Sequence, residues 1–240
     1  MPLQCVVLAG GLGTRMRPFT DAVPKALVPV LGRPFVDWQL ELLAAQGVRR
    51  LVFCVGYRGA LLREHAGDGS RWGVSITWVD EGDDLRGTAG ALRLALDVGA
   101  LEEEFCVLYG DSYLPASMRD VEEAWRASDR PALMTVLRNE GRWDASNAIY
   151  GGGRVLLYDK QAAGPELLWI DYGLSVLEAA LLAERVGRGA RRDLSELMRE
   201  LSEEGLLAGL EVSERFYEVG SPDGLRDFEG YLKAPHPAGE

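Results

Sequence analysis

Short apolar runs alternate with amphipathic segments from residue 3 to residue 137, and this alternation constrains the fold more than any other feature of the chain. Leu3–Ala9 is apolar throughout, as a strand buried on both faces must be. Leu51–Val55 and Phe105–Tyr109 read the same way, and Val74–Val79 and Ala132–Leu137 are further strands. Between them lie helical stretches. Phe35–Gln46 has apolar residues at Phe35, Trp38, Leu42 and Ala45, and Gly47 suits its C-cap. Tyr57–His65, Thr88–Val98 and Val121–Ala127 are the others. Repeated βα units predict an α/β, Rossmann-like fold: a mainly parallel mixed sheet with helices on both faces. In such sheets ligands bind beyond the carboxyl ends of the strands. Three loops fall there: Gly10–Arg17, the segment after Val79, and Gly110-Asp111. These segments, far apart in sequence, are expected to meet at one crevice.

From about Asp144 the pattern changes. Ala148–Tyr150 and Arg154–Tyr158 read as a hairpin around Gly151-Gly152-Gly153. Trp169–Val176 is a strand leading into a Leu177–Glu184 helix, Leu194–Glu203 is amphipathic, and Phe216–Val219 is a short strand. Ser221 is an N-cap, with Pro222 in the first position of a last helix. No linker-like stretch divides the chain. Its 240 residues, 47% hydrophobic, suffice for one large core. The expectation is a single domain over 1–233, whose second half, from about 144, covers the substrate bound by 1–143, with a frayed tail at 234–240.

A net charge of −11 argues against nucleic-acid and membrane-surface partners, which need basic faces. It also repels polyphosphate, so a phosphate site here must gather its own cations. No run approaches the length of a transmembrane helix. The N-terminus lacks a signal-peptide layout, and strand-like residues begin so early that Met1 is expected close to the true start. Cys5, Cys54 and Cys106 sit in apolar runs without a CxxC pair, which reads as buried thiols in a reducing cytoplasm. His65 and His236 read as surface residues, Trp38 and Trp125 as core, and Glu102-Glu103-Glu104 as a solvated run.

The chemistry begins at Leu8-Ala9-Gly10-Gly11-Leu12-Gly13-Thr14-Arg15. A buried strand delivers three glycines, which allow positive φ and leave N–H groups free to wrap a phosphate chain. Arg15 adds a rigid fork of donors and Lys25, after Pro24, a mobile point charge. Met16 stands where G-x-G-x-x-G needs glycine, and no Gly-Lys-Ser/Thr follows, so neither the dinucleotide fingerprint nor the P-loop is present. Glycines alone describe a bland turn; the preceding strand, Arg15 and Lys25 make the phosphate reading. Asp111 ends an apolar strand, where a carboxylate can reach into the crevice. Thr88-Ala89-Gly90 stands at a predicted helix start, where backbone groups can bond a base edge and Thr88 can serve as N-cap; the two roles are compatible.

GGLGTRMRPFT…PKALVPVLGRP resembles the signature of the sugar nucleotidyltransferases, which make NDP-sugars. The resemblance continues through EGDDLRGTAGAL, similar to the family's base-binding segment, and LYGDSYL, similar to its metal-binding strand end. WDASNAIY, YDKQ, WIDYGLSVL and FYEVGSPDGLRDFEGYL follow in the family's order. The resemblance is greatest to the heptose 1-phosphate guanylyltransferase and muramic acid 1-phosphate uridylyltransferase branch. It implies the nucleotidyltransferase fold, with a nucleotide-binding half at 1–143 and a sugar-binding half at 144–233. Nucleotide contacts fall to Leu8, Ala9, Gly10, Gly11, Gly13, Thr14, Arg15, Thr88 and Gly90, and catalysis to Arg15, Lys25 and Asp111. Lys160 is placed on the sugar-linked phosphate, and Asn147, Asp171 and Gly173 in the sugar pocket. Asp111 would bind Mg²⁺ with a second carboxylate, where the family usually has Asp and this chain has Glu218. One methylene adds about 1.5 Å of reach, so Glu218 binds metal directly, binds it through water, or is a solvated strand residue.

The implied reaction joins an NTP to a sugar 1-phosphate and releases pyrophosphate. The leaning is to GTP with a heptose or hexose phosphate, then UTP with an amino-sugar phosphate, then dTTP or CTP with glucose 1-phosphate. An NAD(P)-dependent oxidoreductase and a non-catalytic nucleotide-sugar sensor are the rivals. At 240 residues the chain is not expected to carry the family's appended β-helix acyltransferase domain. A homo-oligomer is compatible with the sequence, which leaves the oligomeric state open.

Overall fold

The computed structural model describes residues 2–17 and 19–234, apart from the side chain of Arg15. The first half contains β1 (Gln4–Ala9), β2 (Pro29–Val30), β3 (Arg33–Pro34), α1 (Phe35–Ala45), β4 (Arg50–Val55), α2 (Gly59–Ala66), β5 (Ser75–Asp80), α3 (Gly87–Asp97), β6 (Glu104–Tyr109), β7 (Ser112–Tyr113), α4 (Met118–Arg126) and β8 (Ala132–Arg138). The second contains β9 (Ala148–Gly151), β10 (Arg154–Tyr158), β11 (Trp169–Glu178), α5 (Ala179–Arg185), α6 (Leu194–Glu203), β12 (Leu207–Val212), β13 (Tyr217–Glu218) and α7 (Pro222–Lys233).

Nine strands form one sheet in the order β5-β4-β1-β6-β11-β8-β12-β10-β9. The strands β5, β4, β1 and β6 are parallel. Successive residues of β1 enter opposite cores: Cys5 and Val7 pack on one face, Val6 and Leu8 on the other. Burial on both faces explains the unbroken apolar runs. One core takes Leu40 and Leu43 of α1, Leu62 of α2 and Val121 of α4. The other takes Leu92 of α3, Leu182 of α5 and Leu197 of α6. The order turns back at β1, with β4 and β5 on one side and β6 on the other, which opens a crevice beyond the carboxyl ends of β1 and β6.

The second half departs from the parallel pattern. β11 runs antiparallel to both β6 and β8, and β10 is antiparallel to β12 and β9. β11 continues to Glu178, through residues whose periodicity predicts the next helix. Leu177 explains this, because it pairs with Phe105 on one side and Ala132 on the other. Two ladders override local preference. β12 has no clear sequence signal; its strand state comes from parallel pairing with β8.

The chain then returns to the crevice. β13 pairs with β7, setting Glu218 opposite Ser112, and the Val219 amide donates to the Asp111 carbonyl at 2.9 Å. α7, capped by Ser221, seals this return by packing Phe228 against Phe35 and Tyr113, with ring centroids 5.5 and 4.7 Å away.

Candidate functional site

A cavity of about 290 Å³ opens at the carboxyl ends of β1 and β6. Leu8, Ala9, Gly10 and Gly11 form one wall, and Tyr109, Gly110 and Asp111 the facing one. The segment after β5 adds Glu81, Leu85, Gly87 and Thr88. The three loops predicted to converge therefore do so.

The glycines differ in what they permit. A Cβ on Gly10 would stand 2.8 Å from Glu81 Oε1, so glycine keeps this wall thin. Gly13 has φ +64°, and a Cβ there would meet Lys25 Cγ at 3.0 Å. Its carbonyl accepts the buried Thr20 hydroxyl at 2.8 Å. Gly13 is outside the cavity lining and supports the stem of Lys25; Thr14 is exposed at the start of a 3-10 turn. The side chain of Arg15 lies outside the described residues.

Lys25 Nζ donates to Asp111 Oδ2 at 2.7 Å, with the two side chains 19% and 23% exposed. Asp111, Glu81 and Asp193 line the cavity against a single described cation, Lys25. Burial pushes the Glu81 carboxyl upward, partly offset by the Arg86 N–H, which donates to Glu81 Oε2 at 2.8 Å. Burial also drives the Cys54 thiol up to about 12, so it stays protonated. All three cysteines are buried and free.

Tyr109 joins the cavity to a second group of residues. Lys160 Nζ lies 5.9 Å from its ring centroid. A Cβ on Gly173, φ +93°, would approach its Cδ2 at 3.7 Å. Burial, with Asp171 and Asp111 adding to it, holds the Tyr109 phenol far above its ordinary range. Asp171 accepts from the Gly173 amide at 2.9 Å and from the Tyr158 hydroxyl at 3.1 Å, while its own amide donates to Asn147 Oδ1 at 2.9 Å. Its carboxyl is raised by burial, with Lys160 opposing. Asn147, Lys160, Asp171 and Gly173 thus form one neighbourhood behind Tyr109.

Thr88 is not the N-cap of its own helix. Its hydroxyl accepts the Leu194 amide at 2.6 Å, which caps α6, and α3 has no side-chain cap. The reason is the segment before α6. The Arg192 carbonyl accepts the Ala89 and Gly90 amides at 3.0 and 3.2 Å. Those amides are consequently spent on protein. Gly90 is outside the cavity lining, and glycine is needed there because a Cβ would lie 2.6 Å from the Ala190 carbonyl oxygen. His65 is also more than a surface residue, since its Nε2 pairs with buried Asp37 at 2.6 Å; His236 lies outside the described residues. Sequence reasoning missed Glu81, Tyr109 and Asp193. Glu81 directly follows β5 and Tyr109 ends β6, both inside quoted motifs, and were findable; Asp193 carries no local signal.

Among the described residues, no group of three or more His, Cys, Asp or Glu side chains could hold a metal ion. Asp111 lines the cavity, while Glu218, the ladder partner of the next residue, Ser112, is exposed and outside the lining; both carboxylates offer hard oxygen donors. That set fits Mg²⁺, which takes one or two carboxylates and completes its shell with water and phosphate. It does not fit a caged Zn²⁺.

The low-salt glycan biosynthesis nucleotidyltransferase Agl11 of Haloferax volcanii is 28% identical over 232 residues, covering 93% of this chain and 64% of that protein. The mannose-1-phosphate guanylyltransferase catalytic subunit beta of Danio rerio is 29% identical over 224 residues, covering 92% and 62%. The chain thus spans less than two thirds of these relatives. The structure of HddC from Yersinia pseudotuberculosis complexed with GMP-PN superposes with a TM-score of 0.78, 21% identity and coverage of 96% and 100%, a likeness of fold. No described helix is long and apolar enough to cross a membrane. The family model described as "Nucleotidyl transferase" matches residues 4–145, which hold the glycine loop, Lys25, Glu81 and Asp111, and the chain belongs to that family.

Proposed function

We propose that this chain transfers a nucleoside monophosphate from an NTP to a sugar 1-phosphate in the cytoplasm, giving an NDP-sugar and pyrophosphate. The observation that carries the reading is the convergence of the glycine loop, Lys25 and Asp111 on one cavity, with the Lys160–Asp171 neighbourhood one ring away. A phosphate oxygen of the sugar 1-phosphate attacks the α-phosphorus in line. That P–O bond forms as the α–β bridging bond breaks, and pyrophosphate leaves with the electron pair. The attacking oxygen is already anionic, so no strong base is needed. Catalysis is positioning and charge neutralisation.

The N–H groups of the loop and Arg15 hold the β- and γ-phosphates. Lys25 meets charge near the α-phosphate. Lys160 steers the incoming phosphate, and Asn147 and Asp171 bond the sugar hydroxyls. Asp111 and Glu218 would hold Mg²⁺, which neutralises charge on the triphosphate. A matrix of NTPs against sugar 1-phosphates, scored by pyrophosphate release, tests this reading, and it fails if no pair turns over. Glu218, at a position where the family usually has Asp, favours one alternative, a nucleotide-sugar sensor; formation of any NDP-sugar rejects it.

For the nucleobase we favour guanine, with a heptose or hexose 1-phosphate as acceptor. Glu81 Oε2 is engaged by a backbone N–H, leaving Oε1 beside Gly10 within a wall of Leu8, Leu85 and Ala91. A carboxylate accepts only. Guanine presents adjacent N1–H and N2–H donors; uracil flanks its single N3–H with carbonyls. Glu81→Gln is expected to lower kcat/KM for GTP relative to UTP by roughly 10-fold or more, as when one charged hydrogen bond is lost. An unchanged ratio removes the guanine argument.

A further inference from the structure

Gln39 of α1 is 2% exposed, deep in the core beside Val36, Leu40 and Leu43. A leucine would suit such a position. Instead the side chain sends one nitrogen to two carbonyls. Nε2 donates to the Tyr109 oxygen at 2.9 Å and to the Ser112 oxygen at 2.7 Å. The two residues between those carbonyls are Gly110 and Asp111.

One planar amide therefore spans the turn that carries the cavity carboxylate. The same turn is fixed from two other directions. A Cβ on Gly110 would stand 2.8 Å from Ala9 Cβ, so the turn lies hard against β1. The Val219 amide holds the Asp111 carbonyl at 2.9 Å. With both ends and the middle of the turn fixed, the Asp111 carboxylate has little freedom except about its own side-chain torsions, and it points at Lys25.

The arrangement is not simply a buried amide finding partners. Gln39 Oε1 is itself buried without a hydrogen-bond partner among the described residues. An unsatisfied acceptor is a cost that an apolar residue would avoid. Local rules are broken in this way where a site needs the group.

We infer that Gln39 is a positioning residue: its side-chain amide sets the aim of Asp111 by bridging the Tyr109 and Ser112 carbonyls. Its described contacts are to these two backbone carbonyls, so it acts through the turn on the metal that Asp111 would hold. The inference rests on the proposed metal-dependent transfer.

The test uses the full chain, with Gln39→Met as the near-isosteric variant and Gln39→Leu as a second in case the first misfolds. Gln46→Met is the control, because Gln46 also spends its amide on a backbone group, the Met118 N–H at 2.7 Å, on another element. Mn²⁺ is titrated into each protein with guanosine β,γ-imidotriphosphate, and free Mn²⁺ is followed by its paramagnetic resonance signal. The expected result for the Gln39 variants is a 10- to 100-fold loss of Mn²⁺ affinity, the range found when groups behind a metal ligand are removed. In turnover, kcat falls by a similar factor while KM for the sugar phosphate stays within about twofold, because Asp111 does not hold that substrate. The control changes neither. Wild-type Mn²⁺ affinity in a folded Gln39 variant overturns the inference. So does a control that loses as much, or a wild-type protein that binds no Mn²⁺. Absence of turnover with every NTP and sugar phosphate sinks the transferase reading while leaving the Mn²⁺ comparison standing.

Discussion

Lys25→Met separates the charge of Lys25 from its packing. The stem rests on Gly13, whose Cβ would lie 3.0 Å from Lys25 Cγ, and methionine fills that space without the ammonium. The ion pair to Asp111 at 2.7 Å has a Coulomb energy of about 6 kcal/mol at an effective dielectric of about 20. Desolvation offsets most of it. With each partner about a fifth exposed, water can solvate the abandoned carboxylate, so the net loss of stability is about 1–2 kcal/mol. In a chain of this size that lowers Tm by roughly 2–8 °C. The effect on turnover is larger, because a preorganised cation acts where charge develops. Removing one costs about 3 kcal/mol in the transition state, or ~100-fold in rate. Pyrophosphate release at saturating substrates, beside a thermal melt, reads both. A folded variant within about threefold of wild-type turnover would refute the role given to Lys25.

The raised carboxyl of Asp171 makes a stability prediction of definite sign. The folded state favours its protonated form, so its favourable contribution is complete below the unfolded carboxylate range and is lost as pH rises through the folded value. Asp171→Asn should therefore be more resistant to urea than wild type near about pH 8, with the gap closing near about pH 4, while turnover falls; a wild type that is the more stable at high pH contradicts this. Thr88→Val removes the acceptor for the Leu194 amide at a cost of about 1–2 kcal/mol. Hydrogen exchange should rise in the first turn of α6 and stay unchanged in α3; the reverse pattern would return Thr88 to the role of cap for its own helix.

The parallel half of the fold was legible because its strands are buried on both faces, which forces unbroken apolar runs at Leu3–Ala9, Leu51–Val55 and Phe105–Tyr109. The other half was less so. β11 and β12 take their extent from neighbours on both sides, and no local pattern in Leu177 or Gly209 announces a ladder partner. The same division holds at the cavity. Glycines and cations beside strand ends are visible in sequence, since chemistry and topology coincide there. Asp193 is not, because the segment before α6 reaches the start of α3 only through tertiary hydrogen bonds, among them Arg192 N to the Arg86 carbonyl at 2.8 Å. Those bonds also explain why Gly87 and Gly90 follow Arg86. A Cβ at either would come within 2.7 Å of a backbone oxygen of this segment, so both glycines make room for the protein itself.

The charge of the cavity bears on how a polyphosphate could enter it. The chain as a whole carries −11, but at physiological ionic strength charges more than about 8 Å away are largely screened, so the nearby groups decide. Among the described lining residues these are Glu81, Asp111 and Asp193 against Lys25. A bare triphosphate, with about four negative charges, meets a wall that is itself negative on balance. Arg15, whose side chain lies outside the described residues, adds at most one positive charge, so these lining groups and Arg15 together still sum to a negative charge. On the proposed reading Asp111 would hold a divalent ion bound with the nucleotide, and that ion would supply the missing positive charge. The acidic lining would then disfavour metal-free nucleotide, and the carboxylates that repel the bare anion would favour its metal complex.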